Sequence, residues 1–549
     1  MKFTTREPRK SKQTGDPSPH EIEEGKGQAT ILPGKLKTKK LDIRKDDKKL
    51  KEEQVLTREE RDWKHKDEIM HRIEDNKRIL EELIGLGTSF DIVFREMKFA
   101  GKKAALLFFN GFANDIVMSD VLTRLTYVQP DHLSDQPLDT YLHALIPHVQ
   151  VEKVHTMSGA IQKMMLGSSI LFLENESAAI VIDAKQFPVR SIEEPSLEKV
   201  VRGSRDGFVE TMLMNISLVR RRLKDPNLKF ELLTVGKRTR TDISVGYVSD
   251  IADMDLVEAV KDKIQKIKVE GLPLADKQLE EEMMGRTWNP YPMVRYSERP
   301  DVIAAHLLEG HVIVFVDTSP SAMILPTTFF HHVQHAEEHR QTPMIGTYFK
   351  WVRFIGIMAS IFLLPLWYLM VAYPAMKPEA LAFIGPQETA NLPIIIQFLI
   401  AEVGIDMLRM AAVHTPTPLV TAMGLVAAIV IGEFAVSTGL FVNEVVLYMA
   451  VAAIGMFATP SYELSVANRI VRLLLLVSVF FFKIPGLVIG TTLVMLILIF
   501  QRSYNSPYMW PFIPFNANAL FSIVIRKPFR MEKVRPSITK SLDNTRRDP

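Results

Sequence analysis

The chain has 549 residues, more than one hydrophobic core organises, so about three folding units are expected. It contains no cysteine, which excludes disulfides, thiolate metal sites and a cysteine nucleophile. The formal net charge of +3 hides an uneven distribution: residues 1–50 carry 14 Lys and Arg against 8 Asp and Glu, so the remainder carries −3.

Residues 1–65 are predicted to form a disordered basic tail. They combine several prolines with dense Lys and Glu and few aromatic side chains, so they cannot bury enough apolar surface to offset the entropy of ordering. The basic clusters Lys35–Lys40 and Arg44–Lys49 could bind an anionic lipid leaflet. The alternative is a solvated tail. No nucleic-acid partner is predicted.

Residues 66–345 are predicted to form a soluble α/β head of two lobes, 66–190 and 191–345, with a proline-containing break near 188–195. Apolar periodicity predicts helices at Asp67–Leu83, Gly207–Leu223 and Met254–Ile267. The predicted β-strands are Ala104–Phe109, Ser169–Glu174, Ala178–Asp183, Lys229–Val235, Thr241–Val248 and His311–Asp317. The head contains neither G-x-G-x-x-G nor a Walker motif, so no nucleotide site and no cofactor is predicted.

Residues 346–502 are predicted to form a polytopic α-helical membrane domain of four to six apolar helices. A helix needs about 20 apolar residues to cross the hydrocarbon core, and the first segment contains no charged residue over that length. The segments are Phe354–Tyr373, Pro393–Val413, Pro418–Phe441, Val445–Thr459 and Ile470–Phe500. The fold class is therefore mixed: an α/β head followed by membrane helices.

Basic residues beside the apolar segments predict the orientation. Positively charged loops remain on the cytoplasmic side, and the residues concerned are Lys350, Arg353, Arg469, Arg472, Arg526, Lys527 and Arg530. Both the head and the C-terminal tail, 503–549, are therefore predicted to be cytoplasmic. That orientation requires an even number of crossings, four or six.

Three charged residues share one face of the second apolar segment. Glu402, Asp406 and Arg409 stand at positions i, i+4 and i+7 of a helix. Charges inside a span are costly, so they pair or line a watery cavity. One interpretation is part of an ion path or a subunit contact; the other is an interfacial helix whose charged face meets water or the head.

Glu433 lies in the third segment among small residues that allow helices to approach closely, including the candidate packing glycines Gly424, Gly432 and Gly439. If several copies arrange this helix around an axis, Glu433 forms a ring of carboxylates that selects cations. The alternative is one Glu paired with Arg409 or with a backbone donor inside the subunit.

The last apolar segment is interrupted at Lys483, which precedes Pro485 and Gly486. The segment is either one kinked span or two short re-entrant pieces. Lys483 either lines a cavity at the break or extends its ammonium group to the membrane surface from a re-entrant turn.

The stretch His335-Ala336-Glu337-Glu338-His339 fits the H-x-x-E-H pattern of inverted zinc proteases, with His331 and His332 upstream. Zinc catalysis requires a further ligand, and no distinctive partner motif follows. The simpler interpretation is a juxtamembrane helix that couples the head to the first span, with pH sensitivity as one option. No metal and no catalytic residue is therefore predicted.

Several stretches together resemble the GerA-type spore germination proteins. They are Ser89–Asp91, Asn110–Phe112, Pro195–Ser204, Phe208–Glu210, Arg220–Arg222, Asn289–Asp301, Gly310–Pro320, Ser506–Tyr508 and Pro511–Pro514. They occur in order between Gly85 and Phe529, around the expected membrane block. Within this family, a branch of sporulation proteins is related to the germinant receptor A subunits. Two segments resemble that branch more than they resemble the A subunits: His331–Gln341 and Lys350–Phe354.

The resemblance implies a non-enzymatic, multi-pass protein of the spore inner membrane. It further implies an oligomeric, channel-like subunit that acts with other germination membrane proteins in ion release. The residues alone leave two alternatives. The first is a secondary transporter that uses Glu402, Asp406 and Glu433 as carrier sites. The second, which is less favoured, is a membrane zinc protease built on His335, Glu338 and His339.

Overall fold

The structure is a computed structural model, and it describes residues 67–129, 137–187, 198–285, 288–381, 384–414, 424, 426, 433–504 and 506–546. All of them belong to one compact unit, Lys64–Pro549. The predicted basic tail, the predicted lobe boundary near residue 190 and Gly432 lie outside the described residues, as does most of Pro418–Phe441.

The first lobe is a five-stranded antiparallel sheet with helices packed on it. Its elements are α1 (Ile73–Ile84), β1 (Ile92–Phe99), β2 (Lys102–Phe109), α2 (Asp115–Thr126), β3 (Val151–Val154), α3 (Met157–Met165), β4 (Ser169–Leu173) and β5 (Ala179–Ile182). The strands β4 and β5 are buried along their whole length, which explains their continuous apolar sequence.

The second lobe is also a five-stranded antiparallel sheet. Its elements are α4 (Met212–Arg222), β6 (Leu228–Val235), β7 (Thr241–Val248), α5 (Met254–Gln265), α6 (Ala275–Met284), β8 (Arg295–Ser297), α7 (Pro300–Leu308), β9 (Val312–Val316) and β10 (Ala322–Leu325). Apolar residues of α5 and α6 pack on one face of this sheet, and those of α4 and α7 pack on the other.

The two lobes repeat one topology. The strand orders are β1-β2-β4-β5-β3 and β6-β7-β9-β10-β8. In both sheets the first, second, fourth, fifth and third strands of the lobe therefore lie side by side in that order. The repeat extends to side chains. Asn76, the fourth residue of α1, accepts a hydrogen bond from Met70 N and donates one to Met70 O, both 2.7 Å long. Asn215, the fourth residue of α4, bonds Val209 N and O at 2.8 and 2.6 Å. The head is therefore an internal structural duplication.

A buried ion pair joins the lobes. Arg220 of α4 donates from Nε to Oδ2 of Asp91 at 2.7 Å, and both side chains are 2% exposed. Its guanidinium lies 4.7 Å from the ring centroid of Phe109 in the first lobe and 5.1 Å from that of Phe230 in the second. Ser89 and Asp91, two of the residues that carry the family resemblance, are therefore part of this joint.

The membrane-type helices follow a short helical linker. The linker is a 3₁₀ turn, Phe329–His332, and α8 (Ala336–Arg340); the long helices are α9 (Pro343–Ala372), α10 (Ile394–His414), α11 (Asn443–Phe457) and α12 (Tyr462–Phe500). By length and composition, two described helices, α9 and α12, are apolar enough to cross a membrane. Apolar residues of all four helices share one buried cluster.

The chain reverses direction inside α12. Lys483 has φ 57° and ψ −132°, which is not helical, and a Cβ on Gly486 would lie 2.1 Å from the carbonyl oxygen of Ser478. The Ser478 hydroxyl also donates to Gly486 O at 2.9 Å. Residues eight apart in a straight helix are about 12 Å apart, so α12 is a helical hairpin and not one kinked rod.

The C-terminal segment returns to the head. After α12 come a two-residue strand pair, Arg502–Ser503 with Ser506–Pro507, and α13 (Ala517–Val524). The Ser503 hydroxyl donates to Met293 O at 3.0 Å, and Leu542 N donates to Ile251 O at 2.9 Å. The head and the C-terminal segment therefore lie at the same end of the helix bundle.

Most predicted head strands agree with the structure; Thr241–Val248 is reproduced residue for residue. The predicted start of the first helix at Asp67 was wrong, because α1 begins at Ile73. The first membrane-type helix begins at Pro343, eleven residues before the predicted Phe354, because polar residues of its first turns pack on α8 and α13.

Candidate functional site

The most buried charges of the helix bundle form an ion pair between α10 and the first half of α12. The Arg472 Nε atom lies 2.6 Å from Oε1 of Glu402, and Nη2 donates to Oε2 at 2.8 Å. The side chains are 1% and 2% exposed. Arg472 also donates from Nη1 to the carbonyl of Ser360 in α9 at 2.9 Å. The pair therefore fixes three helices against one another.

A second pair lies one helical turn closer to the head. Asp406 forms an ion pair with Arg469 of α12. Arg409, a further turn along, places its guanidinium carbon 4.4 Å from the ring centroid of Tyr462 and contacts Met456 Sδ at 4.0 Å. These residues form a ladder of charged contacts, which we call the charge ladder: Glu402–Arg472, Asp406–Arg469 and Arg409–Tyr462.

The sequence produces this ladder through helix periodicity. Acidic residues at i and i+4 share one face of α10, and Arg469 and Arg472 at i and i+3 share one face of α12. Since the two helices run antiparallel at this point, the first acid meets the second arginine. Arg469 and Arg472 were predicted to lie on the cytoplasmic side; the structure pairs both with acidic residues of α10 and buries Arg472 inside the bundle.

Glu433 has a different environment. It is exposed, and no hydrogen bond or ion pair joins it to any residue that the structure describes. The predicted alternative partner, Arg409, lies against Tyr462 instead. Neighbouring described side chains are apolar and exposed, with Phe434 at 58% and Val426 at 59%.

Of the predicted packing glycines, Gly424 and Gly439 are not at a close contact between described helices. Gly439 has φ 69° and lies in a turn, where its carbonyl accepts from Asn391 N at 2.9 Å. A Cβ on Gly424 would meet no described atom within 4 Å. The close contact lies between α9 and α11, where a Cβ on Gly455 would come 2.2 Å from the carbonyl oxygen of Gly356. Sequence inspection missed this pair because the two glycines lie in different helices, far apart in the sequence.

The opposite end of the bundle carries Lys483. Its ammonium group lies 4.9 Å from the ring centroid of Tyr373, the residue that follows α9. The turn of the hairpin therefore reaches the level at which α9 ends. Both interpretations of Lys483 stay predictions.

The H-x-x-E-H stretch is not organised as a ligand set. His335 Nδ1 accepts from Glu337 N at 3.2 Å and caps α8, while Glu338 forms an ion pair with Arg353 of α9. Within the described part of the chain, His335, Glu338 and His339 do not converge as a group of metal ligands. Burial lowers the pKa of His335 and of His339 to about 4, with nearby cations contributing in the same direction.

The architecture consists of two antiparallel α/β lobes of the same topology, a helical linker and an apolar helix bundle that encloses paired charges. The family model described as Bacillus/Clostridium GerA spore germination protein matches residues 78–538. The chain therefore belongs to the GerA family of spore germination proteins.

Individual relatives refine this assignment. The chain is 47% identical over 468 residues to stage V sporulation protein AF of Bacillus subtilis (strain 168), covering 84% of this chain and 94% of that protein. It is 29% identical to spore germination protein KA of the same organism, over 86% of this chain and 87% of that protein. The predicted position within the family, nearer the sporulation branch than the receptor A subunits, is confirmed.

A solved structure also matches. The crystal structure of the N-terminal domain of the A subunit of the Bacillus megaterium spore germinant receptor GerK3 is 24% identical, with a TM-score of 0.38. The match covers 48% of this chain and 97% of that chain.

Proposed function

We propose that this protein is a membrane subunit of a spore germination complex, in which several copies, with partner germination proteins, form a path for ions across the spore inner membrane. In this proposal the membrane is crossed six times, by α9, by α10, by the predicted segment Pro418–Phe441 that contains Glu433, by α11 and by the two halves of the hairpin α12. The α/β head and the C-terminal segment both lie on the cytoplasmic side, where the head assembles and couples the subunits.

The observation that carries the proposal is the position of Glu433. An unpaired carboxylate on an apolar helix surface is costly in lipid, about 2.5–3.5 kcal/mol for a charge near the centre of a span. Contact with water or with a neighbouring subunit removes this cost. A ring of Glu433 side chains around a shared axis brings each carboxylate into contact with water and with neighbouring subunits. Acidic rings favour cations.

The charge ladder favours a channel over a secondary transporter. A carrier needs carboxylates that release and bind ions during the cycle, whereas Glu402 and Asp406 are engaged by arginines of the same chain. In this proposal the ladder holds α10 against the hairpin α12, and Glu433 faces the path. Gly424, exposed nearby, leaves room for a neighbouring helix.

The test is ion flux through the full chain reconstituted with its partner membrane proteins in lipid vesicles. Wild-type protein is expected to conduct cations, and Glu433→Gln is expected to reduce the preference for cations over anions, measured as a shift in reversal potential. Glu444→Gln is the matched control, since Glu444 accepts a hydrogen bond from Gln387 N within the chain.

Two results would overturn parts of the proposal. Unchanged selectivity of Glu433→Gln at equal expression removes Glu433 from the path. A monomeric mass for the detergent-solubilised complex removes the ring. Saturable counterflow without single-channel events would instead favour the transporter.

A further inference from the structure

Three histidine rings meet where the second lobe contacts the linker. The ring centroids of His306 and His311 are 5.0 Å apart, and His331 lies 5.9 and 5.2 Å from them. All three side chains are buried, with exposures of 8%, 0% and 8%. Neither the proposed ion path nor the H-x-x-E-H motif accounts for this cluster.

The end of α7 builds the cluster. His311 N donates to His306 O, and Gly310 N donates to Leu307 O, each at 3.0 Å. Gly310 has φ 88°, a conformation that glycine adopts without strain and that turns the chain back after a helix. This backbone turn places His311 beside His306 and leaves Glu309 between them in sequence.

His311 is the residue that most needs a partner. It is fully buried, and neither ring nitrogen makes a hydrogen bond of good geometry to a described residue, although the backbone of Leu325 and Pro326 lies beside the ring. A buried polar group without a well-formed hydrogen bond calls for an explanation, for example a bound ion. A lone pair on His311 is available for a metal.

His306 is oriented as metal-binding histidines are. Its Nδ1 lies 2.8 Å from the carbonyl oxygen of Val302, which accepts a hydrogen bond only if Nδ1 carries the proton. The lone pair of the neutral ring is then on Nε2. A backbone carbonyl that holds the second ring nitrogen is the usual support of a histidine ligand.

We propose that His306, Glu309 and His311 bind a divalent first-row transition metal ion, with Zn²⁺ the best match to two imidazoles and one carboxylate. One ligand atom from each of the three residues lies within 4.8 Å of the other two. His331 is not in the ligand set, because its Nδ1 accepts from Thr328 N and its other nitrogen therefore carries a proton.

Two arginines limit the affinity of this site. Arg295 Nη1 lies 3.4 Å from His306 Nε2, and Arg546 Nη1 donates to Glu309 Oε1 at 3.3 Å. Both contacts are long for hydrogen bonds to nitrogen and oxygen. Arg295 also lies 3.8 Å from Glu198, which offsets part of its charge. The ion would displace the contact of Arg295 with His306.

The site would connect the head with the C-terminal segment. Glu309 already holds that segment through its carbonyl, which accepts from the Thr539 hydroxyl at 2.7 Å, and through its ion pair with Arg546. A metal on Glu309 would fix α7 and this segment as one unit. We therefore assign the ion a structural role and no catalytic one.

The test uses full-length protein in detergent, stripped with chelator and then titrated with Co²⁺ or Zn²⁺. Wild-type protein is expected to bind about one ion per chain, with Co²⁺ d–d absorption that reports imidazole ligands. His306→Gln, His311→Gln and Glu309→Gln are each expected to weaken binding about tenfold or more. His71→Gln, which changes an exposed histidine of the first lobe, is the control.

Folding is monitored by circular dichroism in each variant. Glu309→Gln keeps the core intact because Glu309 is only partly buried, so the proposal stays testable if the histidine variants misfold. Folded wild-type protein that binds neither ion overturns the proposal. Binding by Glu309→Gln as tight as that of wild-type protein also overturns it. Neither result depends on ion conduction.

Discussion

Arg472 holds both carboxylate oxygens of Glu402 inside the helix bundle, at 2.6 and 2.8 Å, although the two residues are 70 positions apart. Removing one partner of a buried pair leaves a charge that neither water nor protein compensates. The pair is therefore the contact on which the relative positions of α10 and α12 depend most.

Glu402→Gln is expected to destabilise the protein by about 3–5 kcal/mol, because Arg472 stays buried and charged. The measurement is the midpoint of thermal unfolding of the full chain in detergent. Glu388→Gln, which changes an exposed acid between α9 and α10, is the control and should leave the midpoint unchanged. A midpoint of Glu402→Gln equal to that of wild-type protein would show that the pair contributes nothing to stability.

Gly455→Ala is expected to separate α9 from α11, because the new Cβ would meet the carbonyl oxygen of Gly356 at 2.2 Å. Overpacking of this kind typically costs about 1–3 kcal/mol. Val451→Ala, at an exposed position of the same helix as Gly455, is the control. Unfolding midpoints of the two variants should differ, and equal midpoints would argue against a close crossing of the helices.

Asp91→Asn is expected to loosen the joint between the lobes. It leaves Arg220 buried without its counter-charge, at a cost of about 3–5 kcal/mol. Hydrogen exchange should accelerate where the lobes meet, around Phe109 and Phe230. The exposed pair of Asp120 with Arg124 provides the control, because Asp120→Asn should change stability by about 0.5 kcal/mol or less. Unchanged exchange in Asp91→Asn would mean that other contacts hold the lobes together.

Acidification is expected to destabilise the linker between head and membrane helices. The pKa of His335 and that of His339 are each lowered to about 4 by burial, and an unfolded histidine titrates near 6.5. Between about pH 6.5 and pH 4 the unfolded chain binds protons that the folded chain does not. Stability should therefore fall as the pH is lowered through this window.

His339→Gln should reduce this dependence, because the variant has one fewer buried base. The measurement is the unfolding midpoint between pH 7.5 and pH 4.5, with His71→Gln as the control. If the unfolding midpoint of His339→Gln changes with pH as steeply as that of wild-type protein, His339 is not a source of the pH dependence.

The sequence predicted strands with a continuous apolar pattern well and half-polar ones badly. Thr241–Val248 and the four-residue β5 were predicted, whereas β1, with eight residues but charged side chains along half its length, was not predicted. The common topology of the lobes was not predicted either. It depends on strand order and on equivalent hydrogen bonds such as those of Asn76 and Asn215, which local patterns do not reveal.

The charged residues illustrate the same limit at the candidate site. Helix periodicity placed Glu402 and Asp406 on one face, and the same rule places Arg469 and Arg472 on one face of α12. Matching the two spacings would have predicted the charge ladder, but sequence analysis used the arginines only to predict the orientation. Nothing local marked His306 and His311 as neighbours of His331.

By itself the sequence determined the division into an α/β head and apolar helices, the family, and the faces on which charges lie, because periodicity and motifs are local properties. The tertiary structure decided which charges pair, where α12 reverses at Lys483, that Gly356 and Gly455 are in contact, and that three histidines meet. The physical reason is that a buried charge or a close helix crossing depends on a partner distant in sequence, and only the packed chain selects that partner.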